Sequence, residues 1–71
     1  MTRIATIEKA DYTQIIETDD TGRTLRRLGS IRPAYDGDTA RHIVNSYITR
    51  ERTTIDAERD PAIAWVVSQA Q

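Results

Sequence analysis

A short polar break at residues 19–22 (DDTG) separates two stretches that are rich in β-branched and aliphatic residues. Residues 11–18 (DYTQIIET) precede the break, and residues 23–31 (RTLRRLGSI) follow it. Acidic side chains at the start of a turn can accept hydrogen bonds from backbone N–H groups, and a glycine at its end can adopt positive φ. The pattern therefore predicts an antiparallel β-hairpin over about 11–31.

The loop length sets the register of this predicted hairpin. With four residues in the loop, the opposed pairs are Thr18 with Arg23, Ile16 with Leu25, Gln14 with Arg27, and Ala10 with Ile31. A change of one residue in the loop would exchange the two faces. Gly29, opposite Tyr12, indicates a bulge or a place where an aromatic ring crosses the backbone.

Two helices are predicted after the hairpin. The first spans about 38–52, because apolar residues recur there at helical spacing, namely Ala40, Ile43, Val44, Tyr47 and Ile48. The second spans about 61–70, because Asp60 is a favoured N-cap residue and Pro61 suits the first helical position. The alternation of apolar residues from Ile63 to Val67 leaves a final strand as the alternative.

The predicted fold class is α+β, with one small domain over 1–71. Residues 2–8 (TRIATIE) are β-branched and could add a strand, so a sheet of two or three strands packs against the two C-terminal helices. A chain of 71 residues has a thin core, and without cysteine it has no disulfide to stabilise it. Self-association into a homo-oligomer is the remaining common remedy.

The sequence contains no convincing catalytic or metal-binding motif. Asp20-Thr21-Gly22 is the tripeptide of aspartic proteases, but the residues before it are polar and a hairpin turn accounts for it. His42 is the single histidine, and no nucleophile motif accompanies it. The acidic segment 56–60 lacks the ligands and the glycine of a calcium loop. We therefore expect no enzyme activity, no cofactor and no metal.

The arginines and two aromatic residues are the candidate partner-binding residues. They are Arg23, Arg26, Arg27, Arg32, Tyr35 and Trp65. Arg26 and Arg27 are adjacent on a strand, so they point to opposite faces. Cross-strand pairing with acids such as Glu17 is the alternative role for these arginines. Trp65 is equally consistent with a place in the core.

Small size, an arginine bias and the lack of catalytic residues are typical of a phage or mobile-element accessory protein. The leading expectation is a non-enzymatic binding module that blocks or modulates a host protein, in the manner of an anti-defence inhibitor. The alternative is a nucleic-acid-binding protein that uses the arginine-bearing hairpin as a dimer. No apolar run is long enough for a membrane helix, so the expected location is cytoplasmic, with no membrane partner.

Overall fold

Five antiparallel strands and one helix make up the part of the chain that the structure describes. The computed structural model describes residues 2–36 and 39–71, and for residues 35, 36, 39 and 40 it describes the backbone alone. The elements follow the chain as β1 (Arg3–Glu8), β2 (Thr13–Thr18), β3 (Thr24–Asp36), β4 (Thr39–Ser46), β5 (Arg52–Ile55) and α1 (Arg59–Gln69). Each strand pairs with the next one, so the order in the sheet is the order in the chain.

The predicted helix over 38–52 is wrong, and the predicted sheet of two or three strands is too small. That segment contains β4, a turn and the start of β5. Its helical spacing of apolar residues also fits a strand that has contacts on both faces. Val44 is fully buried beneath α1, and Ile43 is half-buried on the other face. Both are β-branched, as are residues 53–55, and such side chains favour extended backbone.

The predicted C-terminal helix is confirmed, and its alternative, a strand over 61–70, is wrong. The helix starts two residues before Pro61, with Glu58 as the N-cap residue and without a side-chain capping hydrogen bond. Asp60 therefore lies in the first turn, where its charge suits the helix dipole, and not at the cap. The helix is stabilised by the packing of the buried Ala62 and Val66 on the sheet and not by the capping hydrogen bond that the sequence predicts. No described helix is long and apolar enough to span a membrane.

The predicted hairpin turn is confirmed. The backbone N–H of Gly22 donates to the Asp19 carbonyl at 3.1 Å, and Gly22 has a φ of 89°. The Asp19 carboxylate accepts the Thr21 hydroxyl at 2.6 Å and the backbone N–H groups of Thr21 and Arg23 at 2.9 and 3.0 Å. These hydrogen bonds, above all the one from the Thr21 hydroxyl, lower the pKa of Asp19. The carboxylate therefore stabilises the turn.

Two β-bulges shift the register of the hairpin from the predicted one. Ile15 lies opposite Gly29 and Ile16 opposite Arg27, so Leu28 is an extra residue on β3. A second irregularity makes Leu25 an extra residue near the turn. The predicted pairing of Ile16 with Leu25 is therefore wrong. The bulge predicted near Gly29 is confirmed, although Gly29 faces Ile15 and not Tyr12.

The core lies between one face of the sheet and α1. It is a cluster of buried aliphatic side chains from three strands and the helix: Ile15, Leu28, Ile31, Val44, Ala62 and Val66. The bulge explains how Leu28 and Ile31, three residues apart, both reach this face. In a regular strand they would point to opposite sides.

An ion pair ties the end of β1 to the start of α1. The Glu8 carboxylate accepts hydrogen bonds from the Arg59 guanidinium and, at 2.8 Å, from the Thr13 hydroxyl. The Arg59 hydrogen bond is the main cause of the lowered pKa of Glu8. Because the folded-state pKa is depressed, the stabilisation is complete above the unfolded-state pKa of about 4.3 and is lost as pH falls through the lower folded value.

We therefore expect the Tm of a Glu8→Gln variant to lie below that of the wild type at pH 6. The difference should disappear at pH values low enough to protonate Glu8 in the folded protein. Thermal unfolding followed by circular dichroism across this range checks the prediction. A difference in Tm that persists unchanged in acid would show that the charge of Glu8 contributes nothing.

Candidate functional site

The sheet face opposite α1, the open face, is covered by no helix in the described part of the chain. Ile31 and Val44 point to α1, so the residues beside them in β3 and β4 point away from it. These neighbours are Ser30, Arg32, Ile43 and Asn45. The centre of the open face therefore consists mainly of polar and cationic side chains.

Directly opposed residues form rows across the open face. One row crosses all five strands, in the order Ile7, Gln14, Ser30, Asn45 and Arg52. The next row towards the end of β3 holds Arg32, Ile43 and Thr54. Neighbouring side chains in such rows lie within contact distance of one another. The two rows place amide, hydroxyl and guanidinium groups side by side over four strands, from β2 to β5.

Positive charge is concentrated on the open face, although the whole chain has a net charge of −1. Arg27, Arg32 and Arg52 are exposed there, and none has a carboxylate partner among the described residues. Among strand residues with described side chains, the acids are Glu8 and Glu17. Both lie on the helix side. These two acids therefore lie on the opposite side of the sheet from Arg27, Arg32 and Arg52.

Arg26 differs from these three arginines because it is paired with an acid. Its Nε donates to Glu17 Oε1 at 3.0 Å, and its Nη2 donates to the carbonyl of Ala70 at 3.4 Å, beyond the end of α1. Arg26 therefore lies on the helix side, and the adjacent Arg27 lies on the open face. The predicted division of these two arginines between the faces is confirmed. The predicted cross-strand pairing with Glu17 is also confirmed for Arg26.

A depression of about 170 Å³ lies in the open face. It is lined by two arginines, three residues with neutral hydrogen-bonding groups and one aliphatic residue: Tyr12, Ser30, Arg32, Ile43, Asn45 and Arg52. Arg32 belongs to β3 and Arg52 to β5, with β4 between them. Their backbones are thus separated by about 10 Å across the sheet, twice the strand spacing.

A larger cleft of about 420 Å³ opens at the start of α1, beside the β1–β2 turn. His42 lines it, and His42 Nδ1 donates to the Ala57 carbonyl at 2.8 Å. Glu8, also in the lining, is engaged by Arg59. The described residues contain no group of three or more ligands that could hold a metal ion.

The six predicted partner-binding residues fall in different places. Arg27 and Arg32 lie on the open face, Arg26 lies on the helix side, and Arg23 is exposed just before β3. Trp65 is partly buried against the core. Tyr35 is in β3, and its side chain lies outside the described residues.

Sequence reasoning missed three residues of the open face, namely Ser30, Asn45 and Arg52. The wrongly predicted helix over 38–52 contains Asn45 and Arg52, so their alignment with Ser30 could not be recognised. The available signal was the β-branched run at 53–55, which favours a strand immediately after Arg52.

Comparison with known proteins adds no relative, since no family model, no curated protein and no solved structure matches this chain.

Proposed function

We propose that the chain is a non-enzymatic nucleic-acid-binding module that contacts phosphate groups through the open face. The observation that carries the proposal is the set of three exposed arginines on one face, without carboxylate partners among the described residues. Arginine forms bidentate hydrogen bonds with phosphate oxygens, and neutralised phosphates supply most of the affinity of non-specific binding.

The side chains between the arginines favour a nucleic acid over an acidic protein. Protein interfaces usually have an apolar or aromatic centre, whereas protein–DNA interfaces are more polar and more positively charged. The row across the open face presents Gln14, Ser30 and Asn45 beside Arg52. Amide and hydroxyl groups of this kind donate to phosphates and to base edges.

A protein-binding module is the second candidate function, and it corresponds to the inhibitor type expected from the sequence. Three large apolar side chains support it, since Leu25, Tyr47 and Ile48 are 49, 38 and 43% exposed. Tyr47 N–H donates to the Leu28 carbonyl at 2.9 Å, so the segment after β4 lies beside the bulge of β3. Exposed aromatic and aliphatic residues can anchor a protein partner.

The adjacent residues Arg26 and Arg27 offer a matched test of the proposed function. Binding of labelled duplex DNA, single-stranded DNA and RNA to the wild type and two variants would be measured by fluorescence anisotropy at low and physiological salt. We expect Arg27→Gln to raise the Kd about fivefold, which corresponds to about 1 kcal/mol. Arg26→Gln removes the same charge from the helix side and should change the Kd by less than about twofold.

Two outcomes would contradict the proposed function. One is the absence of binding to all three nucleic acids at low salt. The other is an equal loss of affinity in the two variants, because the loss would then follow net charge and not the face that carries it.

A further inference from the structure

The depression in the open face supports a more specific inference, which rests on the proposed function. We propose that it is the seat of one phosphate group, held between the guanidinium groups of Arg32 and Arg52. The remaining open-face arginine, Arg27, does not line the depression and would contact the nucleic acid separately.

The topology places the two arginines on opposite sides of the same strand. Arg52 lies opposite Asn45, and Arg32 lies opposite Ile43, two residues earlier in β4. The two arginines thus flank β4 diagonally, about 10 Å apart across the strands. Both side chains line the depression, so both can reach a group placed over β4.

The positive charge of the depression favours the binding of an anion. The lining contains two cations and no carboxylate. Two guanidinium groups that line the same depression repel each other. An anion bound between them attracts both groups and so offsets their repulsion. Phosphate geometry suits the planar fork of arginine, which donates two parallel hydrogen bonds.

Neutral donors complete the lining. Ser30 and Tyr12 carry hydroxyl groups, and Asn45 carries a side-chain amide. A phosphate group has several acceptor oxygens, so it can use hydroxyl and amide donors in addition to two arginines. Hydroxyl and amide side chains are regular partners of phosphate oxygens in nucleic-acid complexes.

The size of the depression indicates a single group. Its volume of about 170 Å³ is well below the range of about 300–1,000 Å³ that is typical of small-molecule pockets. The cleft at the start of α1 falls within that range, but its lining contains three carboxylates and two cations, and this excess of negative charge would repel a phosphate. The smaller depression is therefore the better seat for a phosphate.

Side-chain NMR spectra test this inference directly. The isotope-labelled protein would be titrated with inorganic phosphate, with a short DNA strand that carries a 5′-phosphate, and with the same strand without it. We expect saturable shifts of the Arg32 and Arg52 Nε–H signals and of the Asn45 side-chain amide. Sodium chloride at matched ionic strength should not reproduce these shifts.

The two DNA strands distinguish the sources of the phosphate. Shifts that require the 5′-phosphate assign the seat to a terminal phosphate, and equal shifts assign it to a backbone phosphodiester. Either result supports a phosphate seat. Arg32→Gln and Arg52→Gln should each raise the Kd for DNA about fivefold and abolish the response to inorganic phosphate. Arg27→Gln should lower DNA affinity and leave the response to inorganic phosphate intact.

The failure of this inference can be told apart from the failure of the proposed function. If DNA binds and Arg27→Gln weakens it, but the Arg32 and Arg52 signals do not respond to any phosphate, the phosphate seat is refuted and the open-face function stands. If the wild type binds neither DNA nor RNA and the two signals do not respond to inorganic phosphate, both are refuted.

Discussion

Gly29→Ala is expected to destabilise the protein by about 3 kcal/mol or more, which is at the upper end of the cost of overpacking a core. A Cβ at this position would lie 2.1 Å from the Asn45 carbonyl oxygen and 2.7 Å from Val66 Cγ1. The carbonyl belongs to the backbone of β4, so it can move away only by distorting the pairing of β3 with β4. A domain of this size has a total stability of about 4–10 kcal/mol.

Thermal and urea unfolding would measure this effect, with Gly22→Ala as the matched control. Gly22 has a φ of 89°, but a Cβ added there would have no atom within 4 Å. Its substitution should therefore cost only the conformational strain, about 1–2 kcal/mol. Adding Val66→Ala to Gly29→Ala should not rescue stability, because the carbonyl contact remains. A Gly29→Ala protein as stable as Gly22→Ala would contradict the close packing of β3, β4 and α1.

The elements that could be predicted from the sequence are those fixed by local chemistry. The turn at 19–22 depends on hydrogen bonds within five residues, and its acids and glycine are visible in the sequence. The strand at the N-terminus and the helix that contains Pro61 also follow from local residue preferences. These predictions did not require knowledge of tertiary contacts.

The remaining elements depend on contacts between distant residues. By their spacing alone, Ile43 and Val44 fit either a helix or a strand. The segment is a strand because it pairs with β3, where Val44 lies opposite Ile31. The bulge at Leu28 allows that side chain to be buried under α1. Gly29 indicates a bulge in this region, but no local pattern identifies Leu28 as the extra residue or predicts the second irregularity at Leu25. The predicted register is therefore wrong, although the hairpin itself is correct.

The candidate site could also be predicted only in part, because it too depends on contacts between distant residues. Arg27 and Arg32 could be selected from the sequence because they belong to a visible cluster of arginines. Their alignment with Asn45 and Arg52 depends on β4 and β5, where the sequence pattern predicts a helix. The neutralisation of Arg26 by Glu17 depends on cross-strand pairing, which brings together residues nine positions apart.

The triple variant Arg27→Gln, Arg32→Gln, Arg52→Gln is expected to bind nucleic acid about a hundredfold more weakly than the wild type. This loss corresponds to about 1 kcal/mol for each charge-assisted contact. The three side chains are exposed and have no carboxylate partner among the described residues, so the fold should survive. An unchanged circular dichroism spectrum and Tm would confirm that the loss concerns binding alone.

The matched control for the triple variant is Arg23→Gln, Arg26→Gln, Arg59→Gln, which removes the same total charge from the turn, the helix side and α1. Arg26 and Arg59 are paired with Glu17 and Glu8. We expect this control to bind within a few-fold of the wild type. An equal loss in both triple variants would show that net charge determines affinity.

The salt dependence of the affinity tests most directly whether the open-face arginines contact phosphates. The slope of log K against log salt concentration counts the neutralised phosphates, at about 0.9 for each contact on duplex DNA. Arg32 and Arg52 share one phosphate and Arg27 contacts another, so the open-face triple variant should have a slope smaller in magnitude than that of the wild type by about 1.8. A slope that does not change would contradict phosphate binding by the open face.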